Sequence, residues 1–326
     1  MSWLSGSRSM LRTAVGPPLA GIQLSWYARD VPSSHFSDQS TAEEVTAALD
    51  LTGLNALVTG CNSGIGYETM RVLALRGANV LGAAPTAEKG KVACASIEGS
   101  ATPLAVDLAD FDSIVECANE IDALDVELDM IVCNAGILLA EPAQARGLER
   151  HFVVNHLGHF ILVNRLLPRL LAARAARVVV TGSSAYGKAP DGGIQFQDLS
   201  SEKNWHGGNA YFHSKLANGL FSLELARRFR GTNATSNCVN PGAVDTNIFR
   251  HVGTKAARNM TANNMKSVAR GAATSCYVAT HPSLDRVSGI FFVDCKPAIP
   301  MMHMRDTRMA NELWRVSEDL VRDYLR

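Results

Sequence analysis

Tyr211-Phe-His-Ser-Lys215 sets a phenol and an ammonium four residues apart, about one helical turn, so on a helix both groups share a face. A phenol with a pKa near ~10 is no base at neutral pH, but a fixed cation beside it favours phenolate and lowers that value. The pair has the make-up of a proton-transfer site, although the same spacing also describes a solvated helix face. A second candidate is Thr59-Gly60-Cys61-Asn62-Ser63-Gly64-Ile65-Gly66, which joins the apolar run Leu54 to Val58 to a helical stretch ending near Arg76. Three glycines so spaced permit a tight turn, close approach of a pyrophosphate and close packing of helix on strand. The helix start then offers unpaired N–H groups and the positive end of its dipole to the anion. A Gly-rich turn can equally be loop punctuation.

Three further groups could join them. Ser183 and Ser184 follow an apolar run and would lie at the carboxyl edge of a sheet, where ligands bind in α/β folds; an ordinary polar turn or cap is the plainer reading. Cys133-Asn134-Ala135-Gly136 leaves another such run at the same edge. Asn155 falls inside a helical stretch, where Asn is unfavourable unless its amide has a task; a satisfied structural Asn remains open.

The elements that must position these groups alternate. Strands are expected at Leu54 to Val58, Ala78 to Ala83, Thr102 to Val106, Met130 to Cys133, Arg177 to Thr181, Thr235 to Val239 and Gly289 to Val293. Helices are expected at Ala42 to Leu51 (Thr41 as cap), Phe111 to Leu124, Val154 to Leu171, Asn209 to Phe229, Lys266 to Thr280 and Asn311 to Tyr324, with a helix or loop at Thr86 to Ile97. The strands are short and apolar without alternation, as in parallel sheets buried on both faces. The expectation is therefore α/β: a single doubly wound parallel-sheet (Rossmann) domain over residues 41–326.

The bulk numbers narrow the partners. Thirty-one basic residues balance thirty-one acidic ones, so no overall field favours nucleic acid or anionic membrane. Seven cysteines carry no C-x-x-C or Cys/His metal spacing, which points to reduced core thiols, an intracellular protein and no metal. No apolar run reaches the roughly 18 to 20 residues of a membrane span. Residues 1–40 are Arg- and Ser-rich and lack an acid before Asp30; they read as a flexible extension clear of the core, with a mitochondrial transit peptide as the alternative to a cytoplasmic location.

From about residue 40 onward the sequence resembles the short-chain dehydrogenase/reductase family. Thr59-Gly60-x-x-x-Gly64-Ile65-Gly66, Asn134-Ala135-Gly136, the Ser183-Ser184 pair, Tyr211-x-x-x-Lys215 and Pro241-Gly242-x-x-x-Thr246 stand in the family's order. The stretches Val154 to Phe160 and Tyr211 to Leu225 are similar to the retinol dehydrogenase-like branch. Ser40 to Glu44 and the tail from Phe291 through Trp314 resemble the dehydrogenase part of the WW domain-containing oxidoreductases, here without WW domains.

That resemblance implies an NAD(P)-dependent oxidoreductase acting on a small-molecule carbonyl or alcohol, apolar by analogy with the branch, in a chain that could form oligomers. Tyr211 would be the general acid/base, Lys215 would hold the nicotinamide ribose and depress the Tyr pKa, Ser184 would bind the substrate oxygen, and Asn155 would hold a relay water. The cofactor would meet Gly60, Asn62, Ser63, Gly64, Ile65 and Gly66; Asp107 and Leu108; Asn134, Ala135 and Gly136; Tyr211 and Lys215; and Pro241, Gly242, Val244 and Thr246. NADP is expected ahead of NAD, because Ala83-Ala84-Pro85-Thr86 carries no acid for a ribose 2′-hydroxyl; Lys89 and Lys91 would stand in for the branch's Arg, replaced here by Pro85. Of two departures, Asn240 for the usual His and one extra residue between Arg177 and Ser183, the second leaves Ser183 as the alternative to Ser184. The rival reading is a cofactor-binding interaction or sensor protein with incidental turnover.

Overall fold

A computed structural model of the chain describes residue 28 and residues 31–203, 207–251 and 265–326. Its strands are β1 (Asn55–Thr59), β2 (Asn79–Ala84), β3 (Ser100–Ala105), β4 (Met130–Cys133), β5 (Gln144–Ala145), β6 (Leu148–Glu149), β7 (Arg177–Thr181), β8 (Thr235–Asn240), β9 (Phe291–Val293) and β10 (Lys296–Ala298). Eight of them form one sheet in the order β3-β2-β1-β4-β7-β8-β9-β10, and β5 pairs with β6 in a separate hairpin. Every pair in the large sheet is parallel except β9 with β10. The chain winds outward from β1 through β3, then returns to place β4 on the other side of β1. That reversal opens a crevice at the carboxyl ends of β1 and β4, the edge at which Ser183, Ser184 and Asn134-Ala135-Gly136 are expected.

Helices cover both faces. One apolar cluster joins Ile114, Phe152, Phe160, Leu220 and Leu313 to Leu57, Ile131 and Val178 of the sheet. The other joins Met70, Leu73, Ala273 and Tyr277 to Val58, Val132 and Val239. Neighbours such as Leu57 and Val58 thus face opposite helix layers, which is why the strands read as unbroken apolar runs.

Several boundaries differ from the sequence expectation. Helix α1 is only Ala42–Val45, although Thr41 and Glu44 form a full capping box. The expected helix from Val154 to Leu171 is three pieces: a π-helical turn over Phe152–Leu157, α5 (Gly158–Arg165) and, beyond Leu166, α6 (Leu167–Ala172) with Pro168 in its first turn. Between these lie α2 (Gly64–Leu75), α3 (Ala87–Ala95) and α4 (Phe111–Ala123). The later helices are α7 (Gly207–Arg228), α8 (Val268–Thr280) and α9 (Thr307–Val321), the last starting one turn early because Asp306 caps it.

Residues 1–27, 29, 30, 204–206 and 252–264 lie outside the described residues, and with them most of the expected N-terminal extension. The expectation that the first forty residues stand clear of the core does not hold for 31–40. Val31 and Phe36 pack against the second cluster, and the Phe36 ring meets Tyr277 edge-on at 5.6 Å. Among the described residues no helix is long and apolar enough to cross a membrane, and no group of His, Cys, Asp and Glu could hold a metal.

Candidate active site

The last residue of β1, Thr59, is the hub of the crevice. Its hydroxyl oxygen accepts N–H bonds from Asn134 and Ala135, each at 3.0 Å. The Asn134 amide donates to the Thr59 carbonyl at 2.9 Å. The exit of β4 is thereby tied to the glycine turn, so Asn134-Ala135-Gly136 and Gly60 to Gly66 come together as expected. Space is scarce: a Cβ on Gly66 would sit 2.3 Å from the Gly60 carbonyl oxygen and 2.4 Å from the Asn134 amide nitrogen.

The glycine turn fits a dinucleotide. Gly60 and Gly64 have φ of +70° and +57°, the left-handed region open to glycine at little cost. Ser63 precedes α2 but makes no side-chain cap bond, and the first turn holds no acid. A helix N-terminus with bare N–H groups and no competing carboxylate suits a pyrophosphate. Asn62 lines a recess of about 300 Å³ with Tyr67, Glu88, Lys89 and Ser96. Of the two expected lysines, Lys89 lines this recess, next to the Glu88 carboxylate, and Lys91 does not.

Other expected contacts are placed less directly. The Asp107 carboxylate accepts from Ala109 N–H at 2.9 Å, and Leu108 is buried, its backbone pressed on Gly158. Of this pair Asp107 is the exposed member. Pro241 ends β8, Gly242 turns with φ of +85°, and the Thr246 methyl lies against Gly64 across the crevice. Val244 instead points into the core against Gly271, and Ile65 packs on the second cluster.

Tyr211 and Lys215 lie on α7, with the Lys215 ammonium 5.8 Å from the Tyr211 ring centre. Lys215 is buried and donates to the Thr181 carbonyl at 3.0 Å, beside Asn218, which donates to the same oxygen. The ammonium also approaches Gly136, where a Cβ would lie 3.6 Å from it and 3.3 Å from the Asn155 amide oxygen. Burial lowers the Lys215 pKa to about 8, and burial raises that of Tyr211 to about 12, opposed by a hydrogen bond with the Ser183 hydroxyl. One expectation changes here. Desolvation outweighs any lowering of the phenol by Lys215. Ser183 also caps the 3-10 turn Ser184–Lys188 through Ala185 N–H.

Asn155 sits in the π-helical turn with its amide fully used. Its oxygen accepts from Ile137 N–H at 2.8 Å; its nitrogen donates to the Ile137 carbonyl at 3.2 Å and to the Ser214 hydroxyl at 2.9 Å. Four buried histidines surround this turn and escaped the sequence reading. His151 donates to Glu149 at 2.7 Å and accepts from Leu139 N–H at 2.9 Å. His213 accepts from Gln195 N–H at 3.0 Å, anchoring the segment that precedes α7. His156 pairs with Ser317 of α9 at 2.8 Å, and His159 reaches Thr59 at 2.9 Å. The available signal was the i, i+4 spacing of Asn155 and His159, which puts both on one helix face.

Residues 54–257 match the family model described as short chain dehydrogenase. The chain is 37% identical over 304 residues to short-chain dehydrogenase TIC 32 B, chloroplastic, of Brassica napus, covering 88% of this chain and 95% of that one. It is 39% identical to retinol dehydrogenase 12 of Homo sapiens, covering 84% and 88%. Among solved structures, a short chain dehydrogenase from Burkholderia cenocepacia J2315 in complex with NADP superposes with a TM-score of 0.62 at 25% identity, covering 74% of this chain and 96% of that one.

Proposed function

The chain belongs to the short-chain dehydrogenase family and is an NAD(P)-dependent oxidoreductase, and from that premise we propose that it moves a hydride between NADP and an apolar carbonyl or secondary alcohol. The observation that carries this reading is the buried Lys215 ammonium, set beside Gly136 and Asn155 and 5.8 Å from the Tyr211 ring centre. A bound nicotinamide supplies or takes up the hydride. In the reducing direction the Tyr211 phenol, protonated at neutral pH because burial holds its pKa near 12, gives its proton to the carbonyl oxygen. Lys215 stays largely charged below about pH 8 and stabilises the phenolate left behind. A serine hydroxyl orients the substrate oxygen, a role we give to Ser184 on the family pattern and keep open for Ser183, which lies near the phenol.

The preference for NADP rests on the acid-free end of β2, the adjoining recess being lined by both Lys89 and Glu88. The apolar substrate is supported by the retinol dehydrogenase relatives and by two exposed methionines near the chain that leaves β7. These are Met301 and Met302, and Met301 N–H is bonded to Tyr186, two residues beyond Ser184. Thioethers adapt to irregular apolar shapes.

The deciding experiment titrates the purified protein with NADPH and NADH by fluorescence, then follows cofactor oxidation or reduction over a panel of retinoids, steroids and aliphatic carbonyls. Tighter NADPH binding and turnover of at least one apolar member are expected, with Ser183→Ala and Ser184→Ala compared on that substrate. Tight binding with no turnover across the panel would leave a cofactor-binding sensor.

A further inference from the structure

His159 is 1% exposed and lies on α5, one turn beyond Asn155. Its Nδ1 is 3.1 Å from the Asn155 carbonyl oxygen and its Nε2 is 2.9 Å from Thr59 Oγ1. These partners fix the direction of every bond. A carbonyl only accepts, so Nδ1 carries the proton; a neutral imidazole has one N–H, so Nε2 accepts. The proton at Nε2 must then come from the Thr59 hydroxyl, whose oxygen already accepts from Asn134 and Ala135. The other acceptor within reach, the Val132 carbonyl, is farther away at 3.4 Å. Burial, reinforced by the nearby Lys215 charge, keeps the imidazole neutral down to about pH 4.

The chain of bonds continues past Asn155. The Asn155 amide donates to Ser214 at 2.9 Å, and the Ser214 hydroxyl donates to the Tyr211 carbonyl at 2.8 Å. Donors and acceptors therefore run in order from the backbone at 134–135, through Thr59 and His159, to Asn155, and the Asn155 side chain then ties in the turn that carries Tyr211. His159 joins Thr59 at the end of β1 to the π-helical turn, beside the direct bonds of Asn155 to Ile137. We propose that His159 is a positioning residue that holds the Asn134-Ala135-Gly136 backbone and the Tyr211 turn in a single register by directing the Thr59 hydroxyl. This rests on the reading that residues 134–136 line the cofactor site. Buried bonded side chains of this kind act as units and fail together.

The test compares the parent with His159→Phe, His159→Gln and Thr59→Val, measuring NADPH affinity by fluorescence (NADH if the parent prefers it) and amide exchange over residues 134–137. The imidazole ¹⁵N spectrum of the parent reads the tautomer. We expect the Nδ1–H form from pH 5 to 9. His159→Phe should show cofactor binding weakened about tenfold and faster exchange at 134–137. Gln, which keeps an acceptor near the Nε2 position, should recover most of both. Thr59→Val should match His159→Phe, and the double variant should be little worse than either single one. An Nε2–H tautomer would overturn the proposal, as would a folded His159→Phe protein within twofold of the parent in both readouts, or losses that simply add in the double variant. If His159→Phe does not fold, the tautomer and the Gln and Val variants still decide. A parent that binds cofactor but turns nothing over would sink the catalytic reading and leave this inference standing.

Discussion

The two sides of the crevice are built in opposite ways. On the glycine-turn side, Gly60, Gly64 and Gly66 leave bare backbone, and what matters is the absence of atoms: one methyl at Gly66 has nowhere to go. On the α7 side the site is made of buried polar side chains, Lys215, Asn155 and four histidines, each held by a named partner. The first side should fail when atoms are added. The second should fail when atoms or their protonation states change.

Tyr211→Phe is the strongest test of the side-chain half. It removes one oxygen and should cut turnover ~10² to 10⁴-fold, with cofactor affinity and thermal midpoint almost unchanged; turnover within a few-fold of the parent would return the Tyr-Lys pair to an ordinary helix face. Acid should act on the same half. Burial lowers the folded-state pKa of His156 to about 3 and of His159 and His213 to about 4, while in the unfolded chain each titrates near ~6.5. The unfolded state therefore binds more protons between about pH 6.5 and 4, so stability is fully present above that window and falls as pH drops through it. Between pH 7 and 5 each histidine should cost about 2 kcal/mol. Denaturant midpoints should fall over that range, with amide exchange rising at 150–160 and 207–228 before 55–84; a midpoint flat from pH 7 to 5 would show the rings are not buried neutral.

Gly66→Ala probes the backbone half. A Cβ 2.3 Å from the Gly60 oxygen should force a shift worth about 1 to 3 kcal/mol, read as at least tenfold weaker NADPH binding. An unchanged titration would mean the turn has slack it does not show. The smallest effect is expected outside both halves. Extending an N-terminal deletion from residue 30 to residue 40 removes the contact of Phe36 with Tyr277 and should cost about 1 kcal/mol, seen as a drop of a few degrees in thermal midpoint.

The same division explains what could be read from the sequence. Glycine spacing and apolar runs are local, so β1, the glycine turn and the parallel sheet were legible, as was the Tyr211-Lys215 face. Residues 31–40 were misjudged because Phe36 is one aromatic in a polar stretch, and only the folded chain supplies Tyr277. The choice between Ser183 and Ser184 turns on how the chain leaves β7, a rotation that neighbouring residues of the same type cannot encode. The histidines were invisible for a different reason: an imidazole in an apolar helix looks like tolerated polarity until its partner, Thr59 a hundred residues away, is brought beside it.

The π-helical turn at Phe152–Leu157 bears on how this chain should be aligned with others. Bonding from i to i+5 accommodates one more residue than an α-helical turn, so the segment behaves as a one-residue insertion absorbed inside a helix. A chain with an unbroken α-helix here would need a gap opposite 152–157. Without that gap, equivalence drawn from one flank is one position off on the other, about 100° around the helix. Asn155 lies within the inserted turn and His159 just past it, so a gap-free alignment can match one of them to its counterpart while setting the other against a residue that faces elsewhere.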